Sequence, residues 1–244
     1  MDFPVMVSVI MLSYNHSHFI RDALDSVLMQ ETNFNYEILV GDDASTDGTQ
    51  YILKEYQQKY PEKIHLILHD INLGTTKNAY KLMTLAKGKY IASCESDDYW
   101  TDKNKLQLQV DFLESHPNFI GCSHLVQCVD LQKQPIFHQK VRWISSKKHY
   151  TLKDFKGINL PGHSCSILRK NIFLNPLYDY SILWKAHKFI GDRTCALLFA
   201  SQGDFFQIPK TMACYRRNLR TDGKNVTSVL YRRKDRICEE LKYT

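Results

Sequence analysis

Between Glu95 and Asp98 the chain reads Glu-Ser-Asp-Asp, three carboxylates within four residues. Like charges this close raise one another's pKa unless a cation joins them. Mg²⁺ and Mn²⁺ take oxygen ligands and bridge carboxylates to substrate phosphates. The segment therefore fits either a divalent metal holding a diphosphate or a solvated turn that caps a helix. A second cluster, Gly-Asp-Asp-Ala-Ser over 41–45, has the same ambiguity. Its carboxylates could accept an N–H from a nucleobase, or cap the following helix. In Ser13-Tyr14-Asn15, Tyr14 could stack on a base and Asn15 could cap a helix. Asp192, in Gly-Asp-Arg-Thr, is either an N-cap or a general base, and beside Arg193 it is expected to stay ionised with a low pKa. His163, after Pro-Gly, is a turn residue or a polar group of an acceptor site. Arg216, Arg217, Arg220 and Lys224 form either a solvated surface or a lid whose guanidiniums close over phosphates.

These groups need elements to position them. Val7–Leu12 is a short β-branched apolar run, expected as a buried strand. Phe19, Ala23 and Val27, with Ile20, Leu24 and Leu28, make a helical stripe for which Ser17 is an available N-cap. Further strands are expected at Tyr36–Val40, Ile64–Leu68 and Tyr90–Cys94. Helices are expected at Thr49–Tyr60, Asn78–Ala86 and Leu106–Leu113, stopped by Pro61, Gly88 and Pro117. Strand and helix alternate in units of about thirty residues, which implies a mostly parallel sheet with right-handed crossovers. Ser-Tyr-Asn, Gly-Asp-Asp-Ala-Ser and Glu-Ser-Asp-Asp each follow a strand. Ligands of open α/β sheets bind outside the carboxyl ends of strands, so one shared site is expected there.

The second half is less regular. Strands are expected at Phe119–Val129, Ser164–Leu168 and Met212–Arg216, a helix at Arg193–Ser201, an excursion over 131–150 and a basic surface helix at Tyr231–Tyr243. No repeat or linker appears, so one domain is expected over 1–244, with a nucleotide-binding half (1–118) and an acceptor-binding half (119–244).

The chain has 244 residues, 43% hydrophobic and 12% aromatic, enough to build a core and too apolar for a disordered chain. No apolar run approaches the roughly 20 residues that span a bilayer. The N-terminal stretch lacks a basic lead, and the seven cysteines are odd in number without a Cys-x-x-Cys pair. Reduced thiols and a cytoplasmic location are expected. A net charge of +6 suits a nucleotide phosphate, a nucleic acid or an anionic membrane surface, or is an ordinary basic surface. No aromatic-basic recognition motif favours nucleic acid.

In order, VSVIMLSYN, YEILVGDDASTDGT, NLGTTKNA, AKGKYIASCESDDYW and GDRT resemble the inverting family-two glycosyltransferases of GT-A fold, particularly bacterial spore-coat and polysaccharide-assembling members. The first hundred residues match segment by segment, and the rest at LPGHSCSILR, FIGDRT and CYRRN. The resemblance implies an α/β fold with a Rossmann-like, mostly parallel central sheet flanked by helices and a smaller mixed acceptor-side region. It implies a nucleotide-sugar donor, most simply UDP-linked, with Mn²⁺ or Mg²⁺ as cofactor. Ser13, Tyr14 and Asn15 would lie beside the nucleoside, and Asp43 would accept the uracil N3–H. Lys77 stands where the family usually has Arg. Glu95, Ser96 and Asp97 occupy the Asp-x-Asp motif, with Asp97 the metal ligand. His163 and Arg216 would complete the binding site, and Asp192 matches the catalytic base.

Two departures accompany the match. Glu95 is one methylene longer than the usual Asp, and Lys77 lacks the bidentate fork of Arg. The absence of a Gln-x-x-Arg-Trp motif argues against processive cellulose- or chitin-type synthases. A nucleotidyltransferase would carry a glycine-rich N-terminal loop, whereas MLSYNHSHF has no glycine. A glycan or lipid-linked acceptor is expected. Arg232, Arg233, Lys234 and Arg236 could hold the protein peripherally at the inner face of the membrane.

Overall fold

A computed structural model describes residues 4–137, 141, 143–188 and 190–217. The first half alternates as β1 (Val7–Ser13), α1 (Ile20–Leu28), β2 (Tyr36–Asp42), α2 (Thr49–Lys59), β3 (Ile64–Leu68), α3 (Thr75–Leu85), β4 (Tyr90–Ser93), β5 (Tyr99–Trp100) and α4 (Lys105–Ser115). It continues with β6 (Phe119–Val129), β7 (His149–Tyr150), β8 (Leu168–Lys170), α5 (Ile182–Lys185), α6 (Asp192–Ala200) and β9 (Asp204–Arg216). The nine strands form one sheet of order β3-β2-β1-β4-β8-β6-β9-β5, with β7 on β9. The first four are mutually parallel. Beyond them the sheet is mixed: β8 runs antiparallel to β4 and β6, while β6 and β9 run parallel.

Period-two alternation decides which helix covers which face. Val7, Val9 and Met11 of β1 pack with Ile20, Ala23, Leu24 and Val27 of α1, Leu53 of α2, and Leu106 and Val110 of α4. Ile10, one residue out of phase, joins Leu39 and Ile91 against Leu82 and Met83 of α3 and Leu183 of α5. Helices therefore cover both faces, and each strand reads as continuously apolar because both of its sides are buried.

Gly88 fixes the approach of α3 to β1. A Cβ there would sit 2.5 Å from the Ser8 amide nitrogen and 2.8 Å from the Val7 carbonyl carbon, both backbone atoms that cannot move aside. Its own N–H donates to Ser8 Oγ, which donates in turn to the buried Glu37 carboxylate. Gly88→Ala is therefore expected to cost about 1–3 kcal/mol through forced backbone displacement, measurable as a lower midpoint in urea.

Several local expectations change. Ser17 caps nothing: its amide donates to Asp47, and α1 starts after Phe19 with no side-chain cap. The segment expected as a strand at Ser164–Leu168 is a 3₁₀ turn over Ser164–Ser166, because His163 caps it and turns the chain before β8 begins. The strand expected at Met212–Arg216 is only the end of a thirteen-residue β9. The helix expected at Tyr231–Tyr243 lies outside the described residues.

Candidate active site

Three loops leave the carboxyl ends of β1, β2 and β4, and backbone contacts set them side by side. The Asp43 amide donates to the Ser13 carbonyl at 2.9 Å, and the Ser96 amide and hydroxyl donate to the Leu12 carbonyl at 3.2 and 2.6 Å. Ser96 thus ties the acidic loop to β1, and its hydroxyl is engaged there. Asn15 adopts φ +54°, receives Thr46 N–H on its Oδ1 and donates its own amide to Ser45 Oγ. Ala44 is also left-handed, at φ +65°, a conformation that costs roughly 1–2 kcal/mol in a residue with a Cβ. Tyr14 stands 48% exposed above these turns, so its ring is available for stacking. Ser13 is buried with an unpartnered hydroxyl.

The two adjacent aspartates have different tasks. Asp42 organises its own loop, accepting from the Ser45 amide and hydroxyl and from Gln50 Nε2. Asp43 reaches across to the next unit and accepts Leu73 N–H at 2.7 Å and Gly74 N–H at 2.9 Å. It thereby fixes the turn that opens α3, where Gly74 has φ +87°. Each Asp43 oxygen keeps further acceptor capacity for an incoming N–H. Lys77 sits in the first turn of α3, its ammonium 5.0 Å from the Trp184 ring.

The acidic loop itself brings Glu95, Asp97 and Asp98 together, with ligand-capable atoms within 4.8 Å of one another. Burial pushes the Glu95 carboxyl up to about 8, and the Asp97 and Asp192 carboxylates push it the same way. Ser164 Oγ donates to Glu95 at 2.8 Å. Asp98 is raised well above the usual range by burial, then by Asp97 and Glu95. Hard oxygen donors converging under mutual repulsion are the donor set of a divalent cation such as Mg²⁺ or Mn²⁺, so the residues present fit one.

A stability prediction follows from Glu95. Its folded pKa, about 8, lies above its ordinary value of 4.5. Its contribution is fully present below that ordinary value and is lost as pH rises toward 8, where the carboxyl must ionise in place. Metal-free protein should therefore lose thermal stability across that window. Added Mn²⁺ should restore more at pH 8 than at pH 6, read by differential scanning fluorimetry.

Asp192 arrives from the other half of the chain. Thr76 Oγ1, at the start of α3, donates to the carbonyls of His187 and Lys188 at 2.7 and 2.9 Å. The Gly191–Asp192 turn is thereby fastened beside the Asp43–Gly74 contact. Asp192 is the first residue of α6, with Gly191 rather than Asp192 in the capping position. Proximity to Arg193 led to an expectation of low pKa. Instead partial desolvation by the surrounding loops raises the Asp192 pKa, although the residue stands exposed, and Arg169 and Arg193 only oppose that rise. A base with a raised pKa is better matched to taking a proton near neutrality.

Two other expected site residues are buried and engaged within the protein. Arg216 is 4% exposed, and its guanidinium donates to the Asp97 carbonyl at 2.6 Å and to Asp22 at 2.8 Å. It lies against Phe19 and Tyr99, and its amide donates to Asp98 Oδ1. It clamps the acidic loop to α1. His163 is 8% exposed beneath that loop, its ring 4.1 Å from Tyr215, and burial lowers its pKa to about 4. Arg217 donates its amide to the Val129 carbonyl. Arg220, Lys224 and the basic run 232–236 lie outside the described residues.

Sequence reasoning did not single out Thr76, Ser164, Arg169 or Tyr215. Burial raises the pKa of Tyr215, and the charges of Asp98 and Glu95 add to the rise. Its only signal was its place beside Arg216 in CYRRN. Arg169 is buried in β8, its guanidinium 4.8 Å from the Phe199 ring on α6, two turns below Asp192.

Comparisons with known proteins bear on the family and the fold. Over 220 residues the chain is 33% identical to the uncharacterized protein Rv1520 of Mycobacterium tuberculosis, covering 87% of this chain and 59% of that one. It is 38% identical over 125 residues to the putative teichuronic acid biosynthesis glycosyltransferase TuaG of Bacillus subtilis, covering 50% and 48%. The chain spans less than two thirds of the length of these relatives. The crystal structure of Staphylococcus aureus TarS 1–349 in complex with UDP superposes with a TM-score of 0.63 at 21% identity, over 88% of this chain and 61% of that one. That likeness shows the GT-A fold. Residues 8–175 match the family described as Glycosyl transferase family 2, and the chain belongs to it.

Proposed function

We propose that this glycosyltransferase moves a sugar from a nucleoside diphosphate, most simply UDP, to an acceptor hydroxyl with inversion at the anomeric carbon. The observation that carries the reading is the meeting, at one sheet edge, of Asp43, the Glu95–Asp98 loop and Asp192 from three separate stretches. In this reading Asp43 accepts a base N–H while Tyr14 stacks, and Ser13, Asn15 and Ser96 hold the backbone that lines the nucleoside. Lys77 lies near the diphosphate as a point charge. Glu95 and Asp97 hold a divalent cation, with Asp97 as principal ligand. When bound, that ion supplies Lewis-acid stabilisation of the leaving phosphates.

Asp192 accepts the proton of the acceptor hydroxyl as its oxygen bonds to the anomeric carbon. The bond from that carbon to the phosphate oxygen breaks, and its electron pair leaves with the diphosphate. One displacement assisted by one base inverts the centre. Arg216 acts by holding the Asp97 carbonyl and the Asp98 carboxylate in place.

TuaG is named for teichuronic acid biosynthesis, and TarS was crystallised with UDP. The second favours a uridine donor and the first a role in bacterial polysaccharide assembly. The name of Escherichia coli WfgD, a UDP-Glc:alpha-D-GlcNAc-diphosphoundecaprenol beta-1,3-glucosyltransferase 36% identical over 108 residues, favours a lipid-linked acceptor. No helix among the described residues is long and apolar enough to cross a membrane. Peripheral attachment to the inner leaflet is part of the reading and rests on the basic run at 232–236.

The test is a screen of nucleoside diphosphates and sugar nucleotides by thermal shift, with and without Mn²⁺, followed by nucleotide release. Stabilisation by a uridine nucleotide that requires Mn²⁺, with UDP released on turnover, is the expected result. No response to any nucleotide with Mn²⁺ present would sink the reading.

A further inference from the structure

Around the start of α5 the surface carries a cluster of exposed apolar side chains. Leu177 is 85% exposed and Tyr178 63%, and Leu174 and Ile182 are exposed beside them in sequence. Single exposed apolar residues are ordinary, but four between residues 174 and 182 make a patch. The segment is anchored, so these side chains cannot fold inward. Leu183 is buried with Ile10, Leu39 and Ile91, and Phe173 and Tyr180 pack against that cluster with their rings 5.2 Å apart.

Cations border the patch. Lys77 and Lys81 stand one turn apart on α3 and so share one side of that helix. The Lys77 ammonium is 5.0 Å from the Trp184 ring, so that side is the one meeting α5. Lys81 is exposed, as is Lys185, whose ammonium is 5.8 Å from the same ring. The one acidic residue between 174 and 185 is Asp179, and its carboxylate already accepts the Ser181 N–H and O–H at 2.7 and 2.8 Å.

We infer that this surface docks on an anionic lipid bilayer, with Leu177, Tyr178 and Ile182 entering the acyl boundary and Lys81 and Lys185 meeting lipid phosphates.

The composition selects a bilayer over a second protein. Lysine is depleted in protein interfaces, where its ammonium would lose water. At a membrane the ammonium stays in water while its stem covers apolar surface. Tyrosine and tryptophan settle at the level of the headgroups, and basic side chains beside an apolar face favour anionic lipid. The basic run at 232–236 offers charge alone, whereas this patch offers apolar side chains to insert. Its place in the fold agrees. The chain leaves α5 through His187 and Lys188, whose carbonyls Thr76 holds, and enters the Gly191–Asp192 turn. A bilayer docked here adjoins the acceptor side of the cleft. That last point rests on the lipid-linked acceptor proposed above; the docking itself does not.

The experiment is sedimentation of the full chain with phosphatidylcholine vesicles containing or lacking phosphatidylglycerol. The wild type should pellet with the anionic vesicles and less with the neutral ones. Leu177→Ser combined with Ile182→Ser should weaken that binding by about tenfold or more. Both positions are exposed, so the double variant should keep the wild-type thermal midpoint. Lipids brominated along the acyl chain should quench Trp184, read as the part of the quenching lost in Trp184→Phe. Absence of wild-type pelleting, pelleting unchanged in the double variant, or no acyl-chain quenching of Trp184 would overturn the docking surface. So would a lipid-free dimer, seen by light scattering, that the two serine substitutions dissolve, because the patch would then be a protein interface. Vesicle binding is read without a sugar nucleotide, so docking and glycosyl transfer can fail separately.

Discussion

Asp192→Asn lowers turnover by about 10²–10⁴-fold, the usual contribution of a positioned general base, and leaves UDP binding nearly unchanged. The amide keeps the size of the carboxyl and its place at the start of α6, but it cannot take the acceptor proton. The nucleoside end of the cleft is held by other groups, with Asp43 accepting from Leu73 and Gly74, and the amide leaves those contacts in place. The measurement is single-turnover release of UDP from the sugar nucleotide identified by the screen, beside calorimetric titration with UDP and Mn²⁺. Wild-type turnover in Asp192→Asn would remove the base assignment. Because partial desolvation raises this carboxyl, the acid limb of the wild-type rate profile should lie above the ordinary range of an aspartate.

Asp97→Ala should produce the opposite division. Changes in the outer shell of a metal site already cost about 10–100-fold in metal affinity, so removing the principal ligand should cost at least that. Stabilisation by UDP with Mn²⁺ should fall to that given by UDP alone. Yet the metal-free variant should be more stable than the wild type at pH 8. Asp97 raises the pKa values of both Glu95 and Asp98, and deleting it relieves that repulsion where the neighbours must ionise. Gain without metal and loss with it, in one variant, distinguishes a cation site from a solvated turn. Thermal shifts at pH 6 and 8, with and without Mn²⁺, measure both arms. An unchanged Mn²⁺ response in Asp97→Ala would remove the ligand assignment.

The parallel half of the fold was legible because its signals are local. Val7, Val9 and Met11 alternate with Ser8, Ile10 and Leu12, and a polar cluster follows each strand. Residue type and order alone then place Ser13, Asp43 and Asp97 near one another, since neighbouring parallel strands end at the same edge. Beyond residue 119 the pairing is long-range. The thirteen-residue β9 inserts between β6 and β5, and β8 enters antiparallel beside β4. No periodicity within either segment encodes those neighbours, and His163 disguised its turn by sitting next to an apolar stretch.

The carboxylates, their spacing and their places after strands are written in the order of residues, because a helix or strand call needs only neighbours a few positions away. Direction and environment are not. Nothing local in CYRRN says that β9 carries Arg216 back onto Asp97 and Asp22. Asp192 looked permanently ionised until the fold set its carboxyl where its pKa is raised rather than lowered. Desolvation and the aim of a side chain depend on segments up to 194 residues apart, as between Asp22 and Arg216, and only the folded chain brings those segments into contact.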